Sequence, residues 1–222
     1  MTPRLRMPRQ IAWGMSAAAL GVSVACAAAP QDGLPYYRTK ELTPEWVPAS
    51  IASGSAMHRI PAFEVYNQHG AVVTEQALRG RVTLVHFFYA SCGRVCPRAV
   101  GNVQRLLHSR ATDTTFQVLS YTVQPERDSV AALAAYAQHH EITDRRWQLL
   151  TAPWVTIAEL ARTGYFVNLR DGSSYGTDDL AHTETLVLID QMARIRGVYN
   201  ATLALDMEQI ARDVQALEQS AP

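Results

Sequence analysis

The sequence predicts an α/β domain built on a central sheet that helices cover on both faces. Two continuous apolar runs, VTLVHFFY at 82–89 and TFQVLSYTV at 115–123, are typical of strands buried on both faces. Stretches with helical spacing of apolar residues follow both runs, and the chain closes with a hairpin and a last amphipathic helix. Strands that alternate with helices in this way indicate a layered α/β domain.

The first half of the domain contains a hairpin, a strand and a helix. PAFEVYNQHGAVVT has apolar segments on both sides of Asn67–Gly70, which predicts a hairpin ahead of the first buried strand. After that strand, Pro97 fits the first turn of a helix, because a missing N–H costs nothing there. One face of this helix is formed by Cys96, Val100, Val103 and Leu107.

Capping residues and short apolar runs define the second half. Asp128 is placed to cap a helix, whose apolar stripe is Val130, Leu133, Ala134 and Ala137. We then predict a strand at 146–151, a helix at 153–163 that ends at Gly164, and a strand at 165–168. TLVLID and ARIRGVYN predict a closing hairpin, and the last helix is marked by Met207, Ile210, Val214 and Leu217.

Length and charge limit the function classes. The chain has 222 residues, which suits one domain with a leader. Lys plus Arg and Asp plus Glu number 20 each, so the formal net charge is zero. Because nucleic-acid binding relies on clustered positive charge, we expect no nucleic-acid partner.

The N-terminus has the layout of an export signal. Arg4, Arg6 and Arg9 precede an uncharged, alanine-rich run, and small residues follow, as a signal peptidase requires. We expect residues 1–29 to be a signal peptide or an N-terminal membrane anchor that uses residues 11–29. A third alternative is a lipidated Cys26. All three place the domain outside the cytoplasm, in the periplasm, and the anchor and the lipidated cysteine would also tether it to the membrane.

Residues 30–59 have no clear periodicity and are rich in Pro, Ser, Tyr and Trp. We interpret them as a linker or lead-in segment to a domain at 60–220. No internal repeat accompanies them.

Two cysteines mark the point where the first buried strand gives way to a helix. Cys92 lies in the predicted turn, and Cys96 lies at or just inside the helix start. The N-terminal end of a helix carries partial positive charge and unpaired N–H groups, which favour thiolate over thiol. The pattern therefore predicts a nucleophile, a redox couple or a metal site more readily than an inert disulfide.

The spacing of the two cysteines narrows these alternatives without settling them. Residues i and i+4 of a helix have Cβ atoms about 5–6 Å apart, whereas a disulfide needs roughly 3.5–4.5 Å. A disulfide thus requires some adjustment of the turn, for instance at Gly93. A soft ion held between two sulfurs does not, and thiolates suit Cu(I) and Zn(II).

A third ligand is expected from elsewhere in the chain. His182 is the best candidate, because it follows the polar stretch 170–181 and precedes the strand TLVLID. In a thioredoxin-like sheet, the loop before that strand faces the helix start that bears the cysteines. Imidazole suits copper and zinc alike. Tyr121 and Glu126, at the end of the next strand, are candidates to border the site in support of its ligands.

The chain resembles the Sco/SenC family, the thioredoxin-like copper chaperones of cytochrome c oxidase assembly. The similarity is spread over about residues 34–217. Its motifs are LPYY…LTPEW, IPAFEVYNQHG, FFYASCGRVCP, YTVQPERDSV and HTETLVLID…IRGVYN. The fold class implied is a thioredoxin-like central mixed sheet flanked by helices, with an extra hairpin.

The resemblance implies that Cys92, Cys96 and His182 bind a copper ion, as Cu(I) or Cu(II). It also implies delivery of copper to the dinuclear copper centre of cytochrome c oxidase subunit II, or maintenance of the thiols of that centre. Where the family often has Asp before the Pro-Glu pair, this chain has Gln124. An acidic role at that position is therefore not expected here.

An alternative from another class is a thiol-disulfide oxidoreductase that acts on the cysteines of a partner protein. Cys92 would then attack and Cys96 would resolve the mixed disulfide. A third hypothesis, ranked below these two, is a peroxidase on the same fold. The copper function needs His182, whereas thiol exchange needs only the two cysteines.

Overall fold

A computed structural model describes residues 33–91, 96–110, 115–167, 169 and 184–220. The strands are β1 (Glu64–Asn67), β2 (Val72–Thr74), β3 (Val82–Phe88), β4 (Phe116–Thr122), β5 (Trp147–Thr151), β6 (Thr185–Ile189) and β7 (Ile195–Asn200). The helices are α1 (Ala49–Ala52), α2 (Cys96–Ser109), α3 (Val130–His139), α4 (Trp154–Glu159) and α5 (Ala204–Gln219). A 3-10 turn at Glu75–Leu78 and a π-helical turn at Leu160–Gly164 complete the regular structure of the described residues.

The seven strands form one mixed sheet in the order β2-β1-β5-β4-β3-β6-β7. β3, β4 and β5 are parallel, and the other neighbours are antiparallel. Every residue of β3 and of β4 is buried, as their uninterrupted apolar runs predict. The two predicted hairpins are formed by β1–β2 and by β6–β7.

Alternate residues of the central strands enter two separate cores. Leu84 and Phe88 of β3 face a core shared with α2, α3 and α5, whereas Val85 and Phe87 face a core shared with α4 and the π-helical turn. Helices thus cover both faces of the sheet, and the predicted fold class is confirmed.

Two local predictions were wrong. Ser129, not Asp128, caps α3, because the Ser129 hydroxyl accepts the N–H of Ala132. Residues 165–167 of the predicted strand at 165–168 are not a strand. The N–H groups of Tyr165 and Val167 donate to Ala161, at 3.2 and 2.8 Å, which leaves none of these amides for a sheet partner.

The described part of the lead-in segment, residues 33–59, lies against the β6–β7 hairpin. The N–H of Tyr37 donates to the carbonyl of Ile195 at 3.1 Å, and Tyr36 forms a bridge with Glu45. The segment is therefore packed onto the domain that it precedes. Among the described residues, no helix has both the length and the apolar character needed to cross a membrane.

Candidate copper site

The sheet topology brings three chain segments to one edge. β3 and β4 are parallel neighbours, so both end at this edge, at Phe88 and Thr122. β6 is antiparallel to β3, with His86 opposite Leu186, so β6 begins at the same edge. The described segment that ends at Ser91 and the one that begins at Glu184 therefore both lie at this edge. Cys92 and His182 themselves lie outside the described residues.

Cys96 is the first residue of α2. The helix is fixed by its inner face, on which Ala99, Val103 and Leu107 are buried against the sheet. Its first turn continues with Pro97 and Arg98 and contains no acidic residue. The helix start therefore favours an anionic sulfur, because the macrodipole is positive at this end.

Hydrogen bonds connect the start of β6 to α2. Asn102 Nδ2, in the second turn of α2, donates to the carbonyl of Ala201 at 2.6 Å. The N–H of Ala201 donates in turn to the carbonyl of Glu184 at 2.6 Å, and Asn200 Nδ2 donates to Glu184 Oε2 at 2.8 Å. This chain of bonds therefore connects Glu184, at the start of β6, to α2.

Tyr121 lies in β4 and is completely buried. Its ring packs against Phe63, Phe87 and Tyr165, in the core on the sheet face opposite to α2. The hydroxyls of Tyr121 and Tyr165 are 3.2 Å apart, and burial raises the pKa of both phenols. Tyr121 is therefore neutral, and its visible role is to fill the core beneath the edge.

Glu126 is exposed, in the turn at 125–127 between β4 and α3. Its contribution to the site, like that of Tyr121, stays a prediction. Within the described ranges no three His, Cys, Asp or Glu side chains are grouped closely enough to hold a metal ion.

Sequence reasoning did not assign a role to Asp128 beyond capping. Its buried carboxylate accepts the N–H of Ala90 at 2.9 Å, two residues before Cys92. Ser91, adjacent to Cys92, donates from its hydroxyl to Gln124 Oε1 at 3.3 Å. The signal in the sequence was the segment YTVQPERDSV, whose charged residues follow a strand that ends at the same edge.

The architecture of the sheet and its helices defines a class of protein. A parallel β3-α2-β4 unit joined to an antiparallel β6-β7-α5 unit, in the sheet order β4-β3-β6-β7, is the thioredoxin-like arrangement. The two cysteines at the start of the first helix are separated by three residues, one more than in the C-x-x-C motif of thioredoxin-like redox sites.

Comparison with known proteins identifies the family. The SCO1/SenC family model matches residues 52–219, and the chain belongs to this family. The SCO1 protein homolog of Bacillus subtilis is 23% identical over 161 residues, which cover 72% of this chain and 82% of the relative.

Solved structures have the same fold. BsSco, described as a member of the Sco family of cytochrome c oxidase assembly proteins with a disulfide switch, matches with a TM-score of 0.65 at 22% identity. That match covers 74% of this chain and 95% of BsSco. Copper-bound ScoI of Bradyrhizobium japonicum matches with a TM-score of 0.59 at 25% identity, over 71% of this chain and 98% of ScoI.

Proposed function

We propose that this Sco/SenC protein binds one copper ion through Cys92, Cys96 and His182 and transfers it during cytochrome c oxidase assembly. The observation that carries the proposal is the convergence of the end of β3, the start of α2 and the start of β6 at one edge of the sheet. Two thiolates and an imidazole are ligands that copper prefers. The copper-bound relative ScoI supports the same cargo.

Transfer proceeds by ligand exchange. A thiolate or imidazole of the acceptor displaces His182 from the copper ion, and the two cysteines then release the ion in turn. The acceptor is a copper- or thiol-bearing partner protein, and we propose the dinuclear copper centre of cytochrome c oxidase subunit II. The exchange needs no turnover chemistry, so the protein is a metallochaperone.

This function fits a location outside the cytoplasm. The charged and apolar layout of residues 1–29 is typical of a signal peptide or a membrane anchor. We propose that the domain works in the periplasm, either free or tethered through residues 11–29 or through a lipidated Cys26.

The first test is a Cu(I) titration against a competing chelator. We use the reduced full chain with Cys26→Ser, so that Cys92 and Cys96 are the only thiols. We expect tight one-to-one binding that weakens at least tenfold, or about 1.4 kcal/mol, in His182→Ala. The matched control is His69→Ala, an exposed histidine in the β1–β2 turn, which should bind copper as the parent does.

Affinity should also fall as the pH is lowered, because protons compete with copper for thiolate and imidazole. Binding that is weak, or tight but equal in His182→Ala, would contradict the proposed copper site.

A second function is thiol-disulfide exchange, which the disulfide switch of BsSco favours. The Cys92 thiolate would attack a partner disulfide, and Cys96 would then displace the partner from the mixed disulfide. The partner gains two thiols, and this protein is left with a Cys92–Cys96 disulfide. His182→Ala would leave this exchange largely intact, so the same variant separates the two functions.

A further inference from the structure

The loop between β4 and α3, residues 123–129, holds the chain immediately before Cys92. The N–H of Val123 donates to the carbonyl of Phe88 at 2.7 Å. Ala90 N donates to Asp128 Oδ2 at 2.9 Å, and Ser91 Oγ donates to Gln124 Oε1 at 3.3 Å. Three of the four residues from 88 to 91 are thus fixed by one loop.

Asp128 is the centre of this arrangement. The residue is only 3% exposed, and the same Oδ2 atom that accepts Ala90 N–H also accepts the hydroxyl of Thr122. Thr122 Oγ1 in turn accepts the N–H of Gln124 at 3.0 Å. A buried carboxylate is costly unless hydrogen bonds compensate it, and bonds to a charged acceptor are the stronger kind.

Helix capping does not account for this carboxylate. Ser129 already caps α3 through Ala132 N–H. The Asp128 side chain instead points inward, toward the strand end that continues into the cysteine turn. Its described partners lie on that strand end and on β4.

We propose that the β4–α3 loop positions the cysteine turn and that Asp128 is its principal positioning residue. This inference rests on the proposed function only in taking Cys92 as a ligand or redox group. Ligands must be held to within about 0.5 Å for full affinity. Fixing Ala90 and Ser91 sets where the chain enters the turn, just as the packing of α2 sets where it leaves at Cys96.

Two variants separate the charge of Asp128 from its hydrogen bonds. Loss of the hydrogen bonds should weaken binding, because the turn is no longer held. Asp128→Asn removes the charge but keeps an oxygen that can accept both bonds, whereas Asp128→Ala removes both.

The experiment compares these two variants in the full chain with Cys26→Ser. We expect Cu(I) affinity of Asp128→Ala to be at least about tenfold below that of Asp128→Asn, or about 1.4 kcal/mol. The matched control is Ser129→Ala, which removes the cap of α3 and destabilises the same region without touching residues 88–91. It should bind copper within about twofold of the parent.

A second readout does not need copper. The equilibrium constant for forming the Cys92–Cys96 disulfide against glutathione reports how closely the two thiols are held. We expect this constant to fall at least about fivefold in Asp128→Ala relative to Asp128→Asn. If the parent fails to bind Cu(I), the proposed copper function is wrong, and this second readout still decides the positioning role.

Two results would overturn the proposal: agreement of the alanine and asparagine variants in both readouts, or an equal loss in Ser129→Ala. If Asp128→Ala does not fold, Thr122→Val decides, because it removes one donor to the same carboxylate with little change of shape. We expect a loss of at least about threefold in the disulfide equilibrium constant of this variant. A constant equal to that of the parent would overturn the proposal.

Discussion

At the scale of single residues, Gly197 leaves room for a neighbouring aromatic ring. A Cβ atom at Gly197 would collide with the ring and hydroxyl of Tyr199. That hydroxyl donates a 2.6 Å hydrogen bond to Asp213 Oδ2, which connects β7 to α5. Gly197→Ala displaces the ring, and we expect it to lower the free energy of unfolding by about 2–3 kcal/mol, as measured by urea denaturation.

The control for this substitution is Gly101→Ala in the middle of α2. A Cβ atom at Gly101 would approach only Arg105 Nη1, at an ordinary 3.6 Å. Since alanine favours the helix, this variant should be more stable by about 0.5–1 kcal/mol. A Gly197→Ala protein as stable as the parent would show that the Tyr199–Asp213 contact is unimportant.

Single residues also show where sequence reasoning stops. Asp128 and Ser129 are both good capping residues, and local patterns favour neither one over the other. The choice is made by Ala90 and Thr122, which offer donors to Asp128 from 38 and 6 residues away. Tertiary contacts of this kind leave no periodic signal. The segment YTVQPERDSV marks the region, but the sequence does not show which of its residues contacts the chain before the cysteines.

At the scale of elements, the end of α2 is held by the turn before β5. Arg146 Nη2 donates to the carbonyl of Leu107 at 2.7 Å, and Arg146 Nη1 donates to the carbonyl of Arg110. Asp144 orients the guanidinium through bonds of 3.0 Å to Nε and 2.7 Å to Nη2. This turn therefore satisfies carbonyls that a helix end leaves unpaired.

The ion pair between Arg146 and Asp144 makes the free energy of unfolding depend on pH. The hydrogen bonds from Arg146 hold the pKa of Asp144 below its usual value of 3.8. Asp144 thus adds stability above that pH, and the contribution is lost as the pH falls through the lower pKa of the folded state. Asp144→Asn should reduce the free energy of unfolding by about 0.2–1 kcal/mol near neutral pH, and progressively less as the pH falls below 3.8.

Urea denaturation at several pH values measures this difference. Glu64→Gln, which changes an exposed acid in β1, is the matched control. A gap between Asp144→Asn and the parent that is constant down to acid pH would rule out the electrostatic explanation.

Elements whose signal is local were predicted well. Both hairpins, the buried strands and the amphipathic helices follow from apolar spacing and turn residues. Residues 165–168 read as a strand because Tyr, Phe and Val favour strands. The amides of Tyr165 and Val167 instead donate to the π-helical turn at Leu160–Gly164. No pattern in the sequence predicts this turn.

At the scale of the whole molecule, the lead-in segment is fastened by buried arginines. The guanidinium of Arg196 lies 3.9 Å from the centroid of the Tyr36 ring and donates to the carbonyls of Leu34 and Pro35. Arg194 and Arg196 share one buried carboxylate, that of Asp190. Two cations against one anion need these further partners, and the lead-in segment supplies them.

Removal of the lead-in segment should therefore lower the free energy of unfolding of the domain. We expect a fragment of residues 60–222 to be less stable to thermal and urea unfolding than residues 33–222, by about 3 kcal/mol or more. The reason is that Arg196 would remain buried without its carbonyl partners and the Tyr36 ring.

Arg196→Met in both fragments provides the control. The substitution removes the cation, so it should narrow the stability gap between the two fragments. An unchanged gap would mean that the segment stabilises the domain in some other way. These contacts link residues more than 150 positions apart, for instance Tyr37 with Ile195, which explains why the lead-in segment shows no periodicity in the sequence.

The contacts of the lead-in segment also determine the end of the sheet at which this segment leaves the domain. The lead-in segment joins the sheet beside Ile195 and Arg196, at the start of β7, whereas β7 ends at the edge where β3 ends and β6 begins. A strand of this length separates the two ends by roughly 15–20 Å. A resin or a sensor chip attached to the lead-in segment at residues 34–37 would thus hold the protein at the end of β7 opposite to this edge.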